Sequence, residues 1–120
     1  MDAADSRLRI KDEDGITVVE FIDRNILDEA NIQQIGDEIS AIIDDRDQPR
    51  LVVSFANVEH LSSAALGTMI TINNKIRQKN GDLRLADIDP QIYEVFVITK
   101  LNKLFNIHDS SQEALEVLRA

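Results

Sequence analysis

At 120 residues the chain is long enough for one domain with its own core, and without cysteine it has neither a disulfide framework nor thiolate chemistry. A formal net charge of −9 weighs against binding a nucleic-acid phosphate backbone, which takes clustered lysine and arginine, and permits a partner with a basic face. No apolar run approaches the roughly 20 residues that span a bilayer, and the acidic start MDAADSRLRI lacks a signal peptide's basic and apolar regions, so a cytoplasmic protein without membrane insertion is expected.

In chain order, Leu8 and Ile10 alternate with polar residues, and Asp12–Gly15 reads as a hairpin turn. Ile16–Ile22 is rich in β-branched residues and reads as a strand. Residues 27–44 change period: Leu27, Ala30, Ile35, Ile39, Ile42 and Ile43 fall near helical spacing, with acids opposite and Asp28 or Asn25 as the cap. Pro49 breaks that pattern before the strand Arg50–Phe55. Ala64–Asn80 is the next helix, burying Leu66, Met69, Ile70 and Ile76 and ending at Asn80-Gly81, with the glycine as left-handed cap. Lys75, Arg77 and Lys79 sit in its last turns, where positive charge suits the helix dipole.

Leu83–Leu85 is a short strand, and Pro90 opens a helix to about Leu101 with Ile92, Val95, Phe96 and Thr99 on one side. Phe105–Ile107 is a last strand, and Ser110 or Ser111 caps a closing helix through Leu118. The expected fold is α/β: one domain over residues 1–120, its core about 7–118, with a mixed central sheet of about four or five strands and about four helices. Nothing demands a dimer, so a monomer or weak oligomer is expected.

Enzymatic motifs are missing. The four glycines form no phosphate-binding loop, there is no GxSxG elbow, and Ser63 with His60 or His108 lacks an orienting acid. Two histidines without a third ligand make no zinc site, and Asp12-Glu13-Asp14-Gly15 lacks the downstream glutamate of a calcium loop. No cofactor is expected. The carboxylates of the first helix read as a solvated acidic face.

The informative stretch is LVVSFANVEHLSSAALG, residues 51–67. A buried strand leads through a short polar loop to Ser62 and Ser63, standing where a helix begins. Serine there serves as a cap, and the first backbone N–H groups of a helix have no partner inside it. Such a place accommodates a phosphate. Gly67, in the helix's early turns, costs up to ~1 kcal/mol relative to alanine, which points to something packing or docking against the backbone.

Residues 61–67 resemble the phosphorylation signature of the STAS domain family of bacterial anti-sigma factor antagonists, an apolar residue followed by D-[ST]-S-G-L-G. Setting Leu66-Gly67 on the signature's Leu-Gly places Ser63 on the phospho-acceptor and Ser62 on the preceding aspartate, with Ser62 as the alternative acceptor. Residues 81–115, GDLRLADIDPQIYEVFVITKLNKLFNIHDSSQEAL, are similar to the family's C-terminal half. Lys100 stands in place of a common glycine. The family's other acidic site residue falls on Asp23 or Asp28.

The resemblance implies a regulatory binding protein rather than an enzyme. Unmodified, it would bind an anti-sigma factor serine kinase and release the sigma factor. Phosphorylation of Ser63 would end binding and a serine phosphatase would restore it. The implied docking surface comprises Asn57, Glu59, His60, Leu61, Ser62, Ser63, Gly67, Thr68 and Thr71 with Asp23 and Asp28. The alternative is a STAS scaffold or regulatory subunit of a lipid-transport ABC system or stress-signalling complex.

Overall fold

The computed structural model describes residues 7–119. Strands β1 (Leu8–Glu13) and β2 (Ile16–Phe21) form an antiparallel hairpin. Its two-residue turn, Asp14-Gly15, has positive φ at both positions (55° and 81°), the geometry that matches strand twist and for which Asp-Gly is suited. Three short or long segments follow: β3 (Asn25–Ile26), helix α1 (Glu29–Asp44) and β4 (Arg50–Ser54). Then come β5 (His60–Leu61), α2 (Ser63–Gln78), β6 (Asp82–Ala86), α3 (Pro90–Ile98), a 3-10 turn at Leu101–Lys103, β7 (Asn106–His108) and α4 (Ser111–Arg119).

The main sheet runs β1-β2-β4-β6-β7, with every pair after the hairpin parallel. Parallel strands need crossover helices, and coverage on both sides lets β2 and β4 be nearly continuous apolar runs. Alternation splits them. Val19, Phe21, Leu51, Val53, Phe55, Leu83 and Leu85 face the large core under α1, α2 and α3. Ile16, Val18, Val52 and Ala86 face Ala114, Leu115 and Leu118 of α4. The mixed sheet and four helices are those the sequence implies. The strands β3 and β5, which pair with each other in parallel, are not among its expectations.

An edge-to-face row of rings crosses the large core, Phe21–Phe55 at 5.0 Å, Phe55–Phe96 at 6.4 Å and Phe96–Phe105 at 5.9 Å. Helix α4 is fastened at both ends. Arg50 donates to the Leu118 carbonyl (2.8 Å) and Arg119 pairs with Asp14 (3.0 Å). At the other end Asp87 accepts from Ser54 Oγ (2.7 Å), Ser111 N–H (3.2 Å) and Ser111 Oγ. Asp12, bonded to Thr17 (2.9 Å) and Arg46 (2.9 Å), joins the hairpin to the end of α1; those bonds hold its carboxyl below the usual value, the Thr17 bond most.

Several local readings change. Asp28, not Asn25, caps α1, accepting from Ala30 N–H (2.8 Å) and Asn31 N–H (3.2 Å). At the end of α2 it is Asn80 that adopts the left-handed conformation (φ 56°). Gly81 is needed for space: a Cβ there would overlap the Pro49 carbonyl oxygen and stand 2.9 Å from Ile76 Cγ2. Lys79 donates to the carbonyls of Ile43 (2.9 Å) and Asp44 (3.1 Å), so it closes α1 rather than its own helix. Helix α3 stops at Ile98 and buries only Ile92 and Phe96. Val95 and Thr99, expected on the same side as these, are exposed; a nearly all-apolar helix offers no period from which to read its inward face. Strand β7 lies one residue later than expected, and Ser110 caps α4 by accepting from Glu113 N–H (3.1 Å).

Lys100 carries a left-handed backbone, φ 64°, just after α3. Gly81→Ala is therefore expected to cost about 2–4 kcal/mol through overpacking against a fixed carbonyl, whereas Lys100→Gly gains about 0.5–1 kcal/mol by relieving the left-handed lysine. Urea unfolding measures both. A Gly81→Ala protein as stable as wild type would contradict the crowding.

Candidate functional site

The candidate site lies at the carboxyl end of β4. Beyond Ser54 the chain is held by the sheet once more, as Phe55 N–H donates to the Ala86 carbonyl (2.9 Å). It then turns, Val58 N–H donating back to the Phe55 carbonyl (2.9 Å). Exposed Asn57 reaches across with its amide to the Phe21 carbonyl (3.1 Å), and buried Val58 anchors the loop in the core. The Arg24 carbonyl accepts from both Glu59 N–H (2.7 Å) and His60 N–H (3.1 Å). Strand β5 then runs beside β3, Asn25 opposite His60 and Ile26 opposite Leu61. His60 Nδ1 bonds with Asn25 Oδ1 (2.8 Å), and Ser62 N–H donates to the Ile26 carbonyl (3.1 Å). The β3 segment thus delivers Ser62 to the point where α2 starts.

The two serines divide the work. Ser62 is the cap: its backbone is extended (φ −83°, ψ 165°) and its Oγ accepts from Ala65 N–H (3.2 Å). Ser63 occupies the first helical position and is exposed. Among the described residues none is hydrogen-bonded to its hydroxyl. The N–H groups of Ser63 and Ala64 precede the first intrahelical bond, from Leu66 N–H to the Ser62 carbonyl (3.2 Å). The local field at Ser63 is positive, set by the helix dipole. Among the described residues no side chain hydrogen-bonds the Ser63 hydroxyl, and no group of histidine and acidic residues is arranged to hold a metal.

Gly67 lies one turn on, exposed, and a Cβ there would meet nothing within 4 Å. No part of the described chain requires glycine at this position. Thr71 is exposed and bonds back to the Gly67 carbonyl (3.2 Å), while Thr68 is half-buried against Gly36 of α1. Glu59, His60 and half-buried Leu61 line a shallow cleft of about 190 Å³ whose other wall is Gln91, Ile92 and Val95 of α3.

The two candidate acidic residues flank β3, and both are engaged. Asp23 is half-buried and pairs with Arg7 (3.5 Å), and Asp28 is committed to the α1 cap. Sequence reasoning missed Arg24, whose backbone carbonyl orders the loop, and Asn25, which fixes His60. A backbone acceptor leaves no trace in residue type, and two-residue strands are too short for a period.

A family model described as the STAS domain matches residues 7–114. The chain belongs to the STAS domain family. Its relatives include BtrV of Bordetella bronchiseptica, a candidate anti-sigma factor antagonist, at 28% identity over 91 residues, 76% of this chain and 78% of BtrV. An anti-sigma F factor antagonist of Paenibacillus polymyxa is 25% identical over 92 residues, covering 77% of this chain and 79% of that protein. The crystal structure of an anti-sigma factor antagonist from Mycobacterium paratuberculosis superposes with a TM-score of 0.82 at 24% identity over the whole of both chains, which shows the STAS fold.

The different tasks of the serines have separate signatures in stability. Ser62→Ala is expected to cost about 1 kcal/mol, the usual worth of a serine cap, and Ser63→Ala only a few tenths. Chemical denaturation of both variants checks this. The opposite order would put the cap on Ser63.

Proposed function

We propose that this STAS domain is a cytoplasmic anti-sigma factor antagonist that works by partner switching. Unmodified, it binds an anti-sigma factor serine kinase and so frees the sigma factor. The kinase then phosphorylates Ser63 and the complex separates, and a serine phosphatase resets the chain. In this reading it is a binding protein and a kinase substrate, with no catalytic residue of its own. The observation that carries the proposal is Ser63 itself: an exposed hydroxyl without a partner at the first position of α2, in front of two unused N–H groups. The family and the names of its relatives add support.

The energetics suit a switch. A phosphate adds about −1.5 to −2 charges at neutral pH. At a helix N-terminus it is accommodated, with a gain of ~0.3–1 kcal/mol, so the fold stays intact. Against a docked partner the same group is bulky and must be desolvated. A penalty of ~3 kcal/mol there lowers affinity about a hundredfold. The proposed docking surface takes in Ser62, Ser63, Gly67, Thr68 and Thr71 of the α2 start, and Asn57, Glu59, His60 and Leu61 of the loop before it. Asp23 and Asp28 form its edge. Gly67 has a place in this scheme: a bare backbone exposed to solvent lets a partner come close.

Wild-type, Ser63→Ala, Ser63→Glu and Gly67→Ala proteins serve as baits in lysate of the source organism, with captured proteins identified by mass spectrometry. The expectation is a histidine-kinase-like ATPase held by wild type and Ser63→Ala and lost, about a hundredfold in affinity, by Ser63→Glu at unchanged melting temperature. Gly67→Ala is expected to gain up to ~1 kcal/mol in stability while binding more weakly. Equal capture by all four baits, or capture of transporter subunits or a scaffold regardless of Ser63, would overturn the switch.

A further inference from the structure

A groove between the outer surfaces of α1 and α2 adjoins the switch site and is not needed to explain it. It has a volume of about 220 Å³. Gly36 sets its depth: a Cβ there would stand 3.1 Å from Thr68 Cγ2, so glycine lets the helices close together and leaves a notch above them. The α1 wall carries Gln33, Asp37 and Ser40, and the α2 wall carries Thr68 and Thr71. Its α2 wall begins at Thr68, five residues on from Ser63. Farther along, Lys75 reaches over to Asp44 (3.4 Å) and bounds it. The seven steps from residue 68 to 75 rise ~10 Å, about two helical turns.

Asp37 is the charged side chain in the groove's lining, and Lys75 at the far end is paired with Asp44. Residues 26–45 contain six acids and no lysine or arginine, and α2 is uncharged from Ser63 to Asn74. Exposed Asp37 sits on the rim, held by the Gln33 side-chain amide (3.0 Å). A neutral groove with an exposed carboxylate on its rim, set on a helix that carries acids and no bases, fits an oppositely charged segment of about two turns, and that charge draws the segment in before contact.

We propose that the α1–α2 groove takes a lysine- or arginine-bearing segment of the protein that docks at Ser63. The inference rests on the antagonist reading for the partner and extends its docking surface from Thr68 and Thr71 across to α1. Asp37 is the groove's recognition charge. Its part is mainly in association: it speeds encounter and orients the partner along α2 towards Ser63. The contact at Ser63 then decides whether the complex lasts.

Two measurements test this. In the first, the protein captured by wild type is purified, and its association with wild type, Asp37→Lys, Ser63→Glu and Glu116→Lys is followed at low and high salt. Glu116 is exposed on α4, across the sheet, and its variant is the charge control. Asp37→Lys is expected to slow association about tenfold at low salt and flatten its salt dependence, with Glu116→Lys within about twofold of wild type. Asp37→Lys matching the control would overturn the groove even if Ser63→Glu still abolishes binding. Slow association of Asp37→Lys with unimpaired Ser63→Glu would uphold the groove and refute the switch.

The second uses the chain's lack of cysteine. Ser40→Cys, labelled with a photo-crosslinker, is irradiated in lysate and the joined peptide sequenced. A lysine- or arginine-rich segment of the partner supports the groove. Joining to an acidic or wholly apolar segment, or no joining while a label at Thr71→Cys joins efficiently to a segment without basic residues, would overturn it.

Discussion

The parallel pairing of Asn25–Ile26 with His60–Leu61 is the constraint on which the rest of the site depends. Without it the chain leaving β4 would be a surface loop, and the first turn of α2 would have no fixed starting point. With it, the Arg24 carbonyl holds two successive N–H groups and the Ile26 carbonyl holds Ser62. Each such bond contributes only about 1 kcal/mol net. Their effect comes from acting together on a short segment whose two ends are already fixed, Phe55 in the sheet and Leu66 in the core. Below the segment, Phe21 and Phe55 meet edge to face at 5.0 Å. The strands that lead into β3 and β5 are thereby packed against each other at the base of that ladder.

This division between a deeply packed support and a thin polar edge explains what the sequence disclosed. Coverage on both faces made β2 and β4 apolar runs, and one-sided burial gave α1 its acid-and-isoleucine period. Asp14-Gly15, Asp28 and Pro90 declare a turn, a cap and a helix start by their chemistry alone. Where residue type and role part company, the reading failed. Asn80 rather than Gly81 takes the left-handed backbone, since a neighbour's carbonyl claims the space that glycine leaves. Lys100 adopts that backbone although lysine does not favour it, the sign being the glycine common at that place in the family. Helix α3 exposes Tyr93, Val95, Val97 and Ile98, so its inward face cannot be told from its outward one by hydrophobicity.

The site shows the same split. Ser62 and Ser63 were legible as the start of a helix, because cap chemistry is local. Which of them caps depends on a backbone angle and a bond to Ala65 N–H that only the fold supplies. The notch beside Gly36 was invisible for the same reason, as it is a distance between residues 32 positions apart, Gly36 and Thr68.

Ser62 also gives meaning to the departure from the family signature, which has aspartate there. A serine performs the capping task that an aspartate would, so the start of α2 keeps its geometry. What changes is charge: one negative group fewer stands next to Ser63. Asp23 and Asp28, the nearest acids along β3, have Arg7 and the α1 cap to engage them. A phosphate proposed at Ser63 therefore enters a site with a favourable dipole and reduced repulsion from its neighbour. Within the chain almost nothing opposes it. On the proposed reading the energetic penalty that makes a switch arises across the interface, where the dianion meets the partner. On the proposed reading stability and binding fall to adjacent residues, the first to the Ser62 hydroxyl and the second to that of Ser63.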